Sequence, residues 1–293
     1  GAPLPEPCVA YPLAHTRLFR GSVKPKPTRE MKTLKTTTVV APLLSGLLFI
    51  ALWYAVIAIW NLSPFYVPPP HRVMGAMIAE GPRLLEATLV TAGYGLSGFA
   101  LAVVVGVALS VGLGASSLVR KALYPWILVL QMTPVVILAP IIVLWFDYGP
   151  SSVICIAFIT SFFPIVANTT LGMVSTDPNL VDCFHVYRAK PWQEFFLLRL
   201  PSAFPFLISG IKIAATLVPI GAVFGEFFVG SFRSGKGGLG LLVFIYNKET
   251  RIPELFAAGI SACLLGFILV SVVVAINWAL LHKWHESYHV KGR

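Results

Sequence analysis

Two long stretches of this chain contain no charged residue, and they constrain its fold more than any other feature. Residues 87–119 and 148–176 contain no Asp, Glu, Lys or Arg. A helix needs about 20 apolar residues to cross the ~30 Å hydrocarbon core of a bilayer. Of all 293 residues, 57% are hydrophobic and 12% are charged, whereas about 25% are charged in soluble proteins. The chain is therefore predicted to be an integral membrane protein.

Hydrophobic length predicts an all-α, polytopic transmembrane helix bundle with six spans. A Pro-rich turn over residues 63–70 and a short amphipathic segment over residues 71–81 separate the first two spans. We expect prolines to interrupt the later spans, as in helices that line a transport cavity. These prolines are Pro134, Pro140, Pro164 and Pro219. The predicted spans are residues 39–60, 88–114, 122–146, 151–171, 202–230 and 255–281.

Three regions follow from this pattern. Residues 1–38 are predicted to be a disordered, basic, Pro-rich tail, residues 39–282 the transmembrane domain, and residues 283–293 a C-terminal tail. Six spans place both termini on one side, and Lys and Arg are more abundant in the segments on that side, which predicts that both termini are cytoplasmic. The same rule accounts for the net charge of +10. We therefore expect no nucleic acid partner, since no basic stripe with interleaved aromatic residues is present.

A charged segment at residues 177–201 interrupts the apolar sequence and is predicted to be cytoplasmic. Pro178 follows Asp177, a favoured N-cap residue, and Pro191 occupies a similar position further on, so two short helices are expected. Pro201 is expected to end the second helix. The charged residues of the segment are Asp177, Asp182, Arg188, Lys190, Glu194 and Arg199.

Aromatic and aliphatic residues recur at helical spacing in both halves of this segment. Such faces are suited to inserting into a groove of a soluble partner. The alternative is a solvated loop whose charges only mark the cytoplasmic side of the membrane. The apolar positions are Leu180, Val181, Phe184 and Tyr187 in the first half, and Trp192, Phe195, Phe196 and Leu198 in the second.

The spacing within the segment resembles the EAA-type loop of ABC importer permeases. That loop reads Glu-Ala-Ala, three residues, Gly, nine residues, Ile, any residue, Leu-Pro; the matching residues here are Asp182-Cys183-Phe184, Arg188 and Leu198-Arg199-Leu200-Pro201. The resemblance covers about residues 40 to 282 and is to the nitrate, sulfonate, taurine and thiamine-precursor branch. The other matching motifs are Phe163-Pro164, Asn168-Thr169, Pro201 to Pro205, Gly210-Ile211-Lys212, Glu226-Phe227 and Gly238-Leu239-Gly240.

Arg188 is the most informative departure from the family pattern. The family glycine usually turns the chain between the two short helices, so with Arg188 we expect a turn without an easy positive φ. Asp182 followed by Tyr187-Arg188-Ala189 is most similar to members linked to pyrimidine thiamine precursors or riboflavin. Sulfonate, taurine and nitrate stay open as other solutes.

The resemblance implies that the 177–201 segment couples transport to ATP hydrolysis on separate ATP-binding cassette subunits. Tyr187, Trp192 and Phe195 are the expected aromatic anchors. The full expected docking set is Asp182, Tyr187, Arg188, Lys190, Trp192, Phe195, Leu200 and Pro201. The resemblance further implies a type I importer permease in the lipid bilayer of a bacterial plasma membrane, paired with a second copy of itself and served by an extracytoplasmic substrate-binding protein. Catalytic residues, cofactors and metals are not expected.

Two charged residues and a proline of the fifth span are candidates for the translocation pathway or its gate. Glu226 and Lys212 are ionisable groups within a predicted span, where such groups are candidates for function. Glu226 has an alternative structural role, capping backbone near Gly225, and Lys212 has the alternative of extending to the cytoplasmic surface. Pro219 is the third candidate.

Two other patterns are interpreted as incidental. Residues 230–237 have the GxxxxGK spacing of a phosphate-binding loop but lack the following Ser or Thr and follow a membrane helix rather than a strand. His282, His285 and His289 share a helical face without a completing carboxylate or Cys there, and are interpreted as an interfacial helix end.

Three other functions stay open on the residues alone. An ion-coupled secondary transporter would need a coupling-ion site, for which Glu226 is the plausible carboxylate. A membrane scaffold would need only the 177–201 segment to recruit a soluble partner. A membrane enzyme would need paired aspartates, HExxH or a Ser/His pair, none of which occurs at a catalytic spacing.

Overall fold

The computed structural model describes residues 30–229 and 237–281, with side chains over residues 40–229 and 237–279. Residues 1–29 of the expected tail, most of the GxxxxGK loop, the three histidines and the C-terminal tail lie outside these ranges. The chain divides into two units, residues 1–52 and 53–293. All regular structure in the described ranges is helical, as expected for an all-α bundle.

The residues that the structure describes form eleven α-helices and one π-helical turn. The turn, Phe195–Arg199, lies directly between α8 and α9. The α-helices are α1 Glu30–Ile59, α2 Pro70–Ala79, α3 Gly81–Ala115, α4 Ser117–Met132, α5 Val135–Phe146, α6 Pro150–Val174, α7 Pro178–Val186, α8 Pro191–Glu194, α9 Leu200–Val229, α10 Leu239–Lys248 and α11 Ile252–Leu281.

Within the described residues, helix length and apolar composition support five membrane crossings, or six if the bent pair α4–α5 is one span. Five helical stretches, which contain α1, α3, α6, α9 and α11, are each long and apolar enough to cross a membrane, and α4 with α5 forms a sixth crossing bent by 100°. Helix α1 begins at Glu30, so helix includes residues 30–38, which the sequence assigned to the tail. A helix can extend beyond the hydrocarbon core because its backbone hydrogen bonds are internal.

The contacts between α3 and α6 show how these two helices run relative to each other. A Cβ added at Gly98 would lie 2.8 Å from the Ala157 Cβ, and one at Gly114 would meet the Met173 side chain at the other end of the same helix pair. Residue numbers therefore rise together along α3 and α6, so the two helices are parallel. Parallel neighbours require the chain to cross back between them, which identifies the bent pair α4–α5 as one broken span.

Helix α9 packs on α6 in the opposite direction. A Cβ at Gly210 would lie 2.9 Å from the Pro164 carbonyl oxygen, and one at Gly225 would lie 3.0 Å from the Val153 Cα. As residue numbers increase along α9, the numbers of the residues that they contact on α6 decrease. The two helices are therefore antiparallel. The order of contacts places the start of α6 and the end of α9 at one membrane side, and the 177–201 segment at the other.

The expectation that prolines interrupt the third, fourth and fifth spans is correct only at Pro134. Thr133 is extended, with φ −71° and ψ 123°, because the ring of a following proline disfavours the helical conformation. The other three, Pro140, Pro164 and Pro219, lie inside continuous helices. Tight packing against neighbouring helices allows a membrane helix to pass through a proline without ending.

An ionic cluster joins α2, α3, α10 and α11 at the membrane side opposite the 177–201 segment. The Arg251 guanidinium donates to Glu80 at 2.6 Å and to Glu254 at 3.0 Å, and the buried Tyr246 hydroxyl donates to Glu80 at 3.2 Å. The hydrogen bond from Arg251 holds the pKa of Glu80 below its ordinary value of 4.5. The cluster ties the α2–α3 junction to the start of α11, so both connections lie on the same side, as six crossings require.

The close contact at Gly98 predicts that adding a single methyl group there lowers the stability of the helix bundle measurably. A Cβ there would lie 2.7 Å from the Ile154 carbonyl oxygen and 2.8 Å from the Phe158 amide nitrogen, and backbone cannot move aside cheaply. We expect Gly98→Ala to destabilise the α3–α6 pair by about 1–3 kcal/mol. Gly93→Ala on the same helix meets no atom within 4 Å, so it serves as the matched control.

The measurement is the temperature at which the purified chain in detergent loses its monodisperse elution peak. Gly98→Ala should lower that temperature by several degrees, and Gly93→Ala should leave it unchanged or raise it slightly, since alanine favours helix by about 1 kcal/mol. Equal behaviour of the two variants would contradict the close packing of α3 on α6.

Candidate functional site

The first half of the 177–201 segment folds into the expected short helix. The Asp177 carboxylate accepts a hydrogen bond from the Asn179 amide at 2.9 Å, and Pro178 occupies the first turn. The cap satisfies a backbone donor that would otherwise be free at the start of α7. The predicted start of the first helix is thereby confirmed.

Helix α7 ends in a Schellman motif. The Ala189 amide donates to the Phe184 carbonyl and the Arg188 amide donates to the His185 carbonyl, both at 2.9 Å. In this motif the residue after the C-cap is left-handed and is usually glycine. Arg188 takes that place with φ 52°, so the turn does use a positive φ, but without the freedom that glycine would give it. The two hydrogen bonds hold a side chain in a conformation that costs an L-residue about 1–2 kcal/mol.

Glu194 links the two halves of the segment. Its Oε1 accepts from Arg199 at 2.8 Å and 2.6 Å, and its Oε2 lies 3.3 Å from the His185 ring. Arg199 belongs to the π-helical turn and His185 to α7, so the carboxylate holds the halves at a fixed angle. The segment is therefore a braced unit rather than a loose loop.

The second half of the segment continues without a break into α9. Pro201 does not end the helix as expected, because the π-helical turn shifts the hydrogen-bond register immediately before it: the Leu200 amide donates to the Phe195 carbonyl. Phe195 is only 9% exposed and packs with Met173 and Ala203. Its contacts therefore lie inside the chain, and it offers little surface to a partner.

The other expected docking residues lie at or near the surface. Tyr187 is 83% exposed and Trp192 is 58% exposed. Asp182, Arg188, Lys190 and Pro201 are also exposed, and Leu200 is half-buried. A surface pocket of about 310 Å³ lies between the halves, bordered by Tyr187, Arg188 and Leu197 among others. Exposed aromatic residues beside a pocket and two cations form a surface suited to a protein partner.

Glu226 belongs to α9, and its carboxylate lies at the start of α10. There it links α9 to α10 and to α3. Its Oε2 accepts from the Gly240 amide at 2.8 Å and from the Thr91 hydroxyl at 2.9 Å, while the Leu239 amide donates to that hydroxyl at 2.8 Å. The side chain is 3% exposed. A carboxylate at a helix N-terminus satisfies free amides and interacts favourably with the helix dipole. The geometry supports the structural alternative for Glu226.

Two glycines make room for this carboxylate. A Cβ at Gly238 would collide with the Glu226 carboxyl group, and one at Gly240 would lie 2.7 Å from the Glu226 Cβ. The motifs Glu226-Phe227 and Gly238-Leu239-Gly240, which the sequence presents separately, therefore form one structural site.

Lys212 and Pro219 lie on the same face of α9 as Glu226, at intervals of about two helical turns. Pro219 is buried and its ring would be 3.3 Å from a Cβ on Gly266 of α11. Lys212 is half-buried and makes no hydrogen bond or ion pair with a described residue. This face is turned toward α10 and α11 where Glu226 and Pro219 make their contacts.

A different face of α9 borders a half-open cavity that α4, α5 and α6 also line. The cavity has a volume of about 340 Å³ and lies against the break between α4 and α5. Its polar groups come from Gln131, Thr133 and Thr160, and the side chains of Ile220 and Phe224 border it from α9. A cavity at a broken helix is the common location of a solute site in transporters.

Sequence reasoning missed several of these residues. Thr91 has no charge or motif to mark it, because its role depends on α10 returning to α3. Glu194 and Arg199 were identified as charged residues, but not as an ion pair. They pair across five residues in the π-helical turn, which no sequence pattern predicted. Pro134 was noted as a sign of a cavity, but Gln131 and Thr133, two polar residues beside it in an apolar span, were not.

Comparison with known proteins now identifies the class. Residues 98–284 match the family of binding-protein-dependent transport system inner membrane components. The chain is 30% identical to a probable ABC transporter permease of Haemophilus influenzae, over 83% of this chain and 96% of that protein. It is 31% identical to a formylaminopyrimidine transport permease of Halalkalibacterium halodurans (78% and 92% covered) and 30% identical to a riboflavin transport permease of Chloroflexus aurantiacus (82% and 88% covered).

The chain therefore belongs to the binding-protein-dependent transport family as a type I ABC importer permease. It is a multi-pass inner membrane protein and the non-catalytic subunit of its importer, with ATP hydrolysis on a separate subunit. Family membership removes the rival interpretations as secondary transporter, enzyme and scaffold.

The Glu226 site predicts different results for two substitutions. Glu226→Gln retains an oxygen that accepts from the Gly240 amide and the Thr91 hydroxyl, so stability should be close to that of the wild type. Glu226→Ala leaves the buried amide unpaired, which costs about 1–3 kcal/mol. Thermal stability of the purified chain in detergent is the measurement.

The matched control is Glu249→Ala at the exposed, opposite end of α10, which should change stability little because the ion pair of Glu249 with Arg251 is long, at 3.9 Å, and partly solvated. A Gln variant as unstable as the Ala variant would contradict the capping role, because it would mean that the negative charge itself is required.

Proposed function

We propose that two copies of this chain form the pathway for a small polar or heteroaromatic solute delivered by an extracytoplasmic binding protein. The preferred solute is a pyrimidine thiamine precursor or riboflavin. The similarity to a formylaminopyrimidine permease and a riboflavin permease, at 31% and 30% identity over most of the chain, supports this choice. Sulfonate, taurine or nitrate are the alternative solutes.

The pathway is assigned to the cavity beside the α4–α5 break rather than to the Glu226 face. The cavity opens at the surface of the chain, next to exposed apolar side chains such as Ile137 and Ile220. Exposed apolar side chains beside a half-open cavity suit a second copy that supplies the opposite wall. Its few polar groups suit a small heteroaromatic solute that needs stacking surface and isolated hydrogen bonds.

The 177–201 segment is assigned as the ATPase-docking site, on the cytoplasmic side with both termini. Tyr187 and Trp192 are its anchors, with Asp182, Arg188, Lys190, Leu200 and Pro201 around them. The hydrogen bonds between Glu194 and Arg199 keep the segment rigid. A rigid segment can convert closure of the ATPase subunits into movement of α9. The burial of Phe195 against Met173 and Ala203 supports a role in that transmission.

The docking assignment predicts loss of the ATPase subunit from the complex when the anchors change. Trp192→Ala and Tyr187→Glu should each weaken co-purification of the ATPase in mild detergent by roughly 30-fold, the size of a 2 kcal/mol anchor. Tyr66→Glu, which alters a 72% exposed aromatic at the opposite membrane side, should have no effect. An intact complex and intact ATP-driven uptake in both anchor variants would overturn the assignment.

The solute assignment predicts selective uptake by the complete importer. Cells that express this chain with its ATPase and binding protein should accumulate labelled formylaminopyrimidine or riboflavin, and neither taurine nor nitrate should compete. Competition by taurine or nitrate would replace the heteroaromatic assignment by an anionic solute. The docking assignment would be unaffected, because ATPase binding does not depend on the solute.

A further inference from the structure

A second surface pocket lies outside the proposed docking and pathway sites. It has a volume of about 420 Å³ and lies where α3 gives way to α4, beside the last turns of α6. Arg120, Lys121 and Tyr124 border it from α4, and Leu171 and Val174 border it from α6. The two α6 residues belong to a membrane span, so the pocket lies at the boundary between hydrocarbon and headgroups.

The pocket brings together two cations without an acidic partner. Neither Arg120 nor Lys121 forms an ion pair within residues 40–229 and 237–279. Arg120 is half-buried, and its guanidinium donates a long hydrogen bond of 3.5 Å to the Leu113 carbonyl. Lys121 is exposed and Arg120 is half-buried, and an anion that contacts both would offset the repulsion between the two neighbouring positive charges.

The remaining walls of the pocket are apolar. Leu171 and Val174 are exposed on the chain surface, and Tyr124 and Pro125 also line the pocket. Thr170 also borders the pocket, and its buried hydroxyl has no hydrogen-bond partner among the described residues. A ligand that fills this space must combine an anionic group with hydrocarbon, because apolar walls beside cations match no fully hydrated ion.

We propose that this pocket binds an anionic phospholipid. Its phosphate lies between Arg120 and Lys121, and its acyl chains lie along Leu171 and Val174. Basic pockets between membrane helices at the cytoplasmic side are suited to such headgroups. The ATPase subunit is a less suitable occupant, because part of the pocket wall lies within a membrane span, whereas the exposed docking aromatics lie on the separate 177–201 segment.

The position of the pocket gives the lipid a consequence for transport. α6 leads from Val174 directly into the 177–201 segment. A lipid that joins α4 to the end of α6 therefore steadies the base from which that segment projects.

The test measures lipid retained by the full chain after reconstitution into phosphatidylcholine nanodiscs with or without phosphatidylglycerol. Native mass spectrometry of the extracted chain gives bound lipid, and titration gives its affinity. Arg120→Gln with Lys121→Gln should weaken phosphatidylglycerol binding about 25-fold, roughly fivefold for each charge. Arg120→Lys with Lys121→Arg should retain it. Arg72→Gln with Lys248→Gln removes two exposed cations at the opposite side and should leave binding unchanged.

Several results would overturn the proposal. One is equal retention of phosphatidylglycerol by the double Gln variant and the wild type; another is equal retention of phosphatidylcholine and phosphatidylglycerol by the wild type. Displacement of the lipid by inorganic phosphate alone would show a phosphate site rather than a lipid site. Loss of the ATPase with unchanged lipid binding would assign the pocket to that subunit. Lys121→Gln alone, at an exposed position, guards against misfolding and should weaken binding about fivefold.

Discussion

The close approach of α3 and α9 to α6 is the constraint on which the rest of the bundle depends. Lipid tails provide no hydrophobic drive for helices to associate, so packing must come from backbones that come close together. Gly98 on α3 and Gly210, Gly221 and Gly225 on α9 supply that approach, each against α6 backbone or a short side chain. With α6 held on two sides, the broken span α4–α5 is left to border a cavity, and the end of α6 points into the 177–201 segment.

The sequence predicted the spans well because hydrocarbon thickness imposes the same length on every crossing. It predicted the start of α7 from Asp177 and Pro178, since a cap is a local interaction between neighbours. It failed at prolines: Pro134 breaks a helix whereas Pro164 and Pro219 do not. The difference depends on tertiary packing, which a single sequence does not display. Pro201 failed for a related reason, because a π-helical turn changed the hydrogen-bond register before it.

In the candidate sites too, locally determined features were predicted from the sequence and features that depend on tertiary packing were not. Tyr187 and Trp192 were found because aromatic residues at helical spacing next to charges are visible in sequence. Glu226 was named with two roles open, and the Gly240 amide, which supports the structural role, becomes its neighbour only when α10 folds back on α9 and α3. The buried Glu226 and the half-buried Glu80 hold the two ends of α10, Glu226 through the Gly240 amide and Glu80 through the Tyr246 hydroxyl.

Arg188 gives the 177–201 segment a property that a glycine would not. Glycine adopts a left-handed conformation freely, so a family member with glycine there has a tip without charge and without strain. This chain instead holds a guanidinium on a strained backbone at the same point. Under the docking proposed above, the groove of the ATPase that accepts this turn must be wide enough for a long side chain and must tolerate a cation. Exchange of ATPase subunits between this importer and a glycine-bearing relative would therefore be unequal, since the smaller, uncharged tip would enter either groove more readily than Arg188 would.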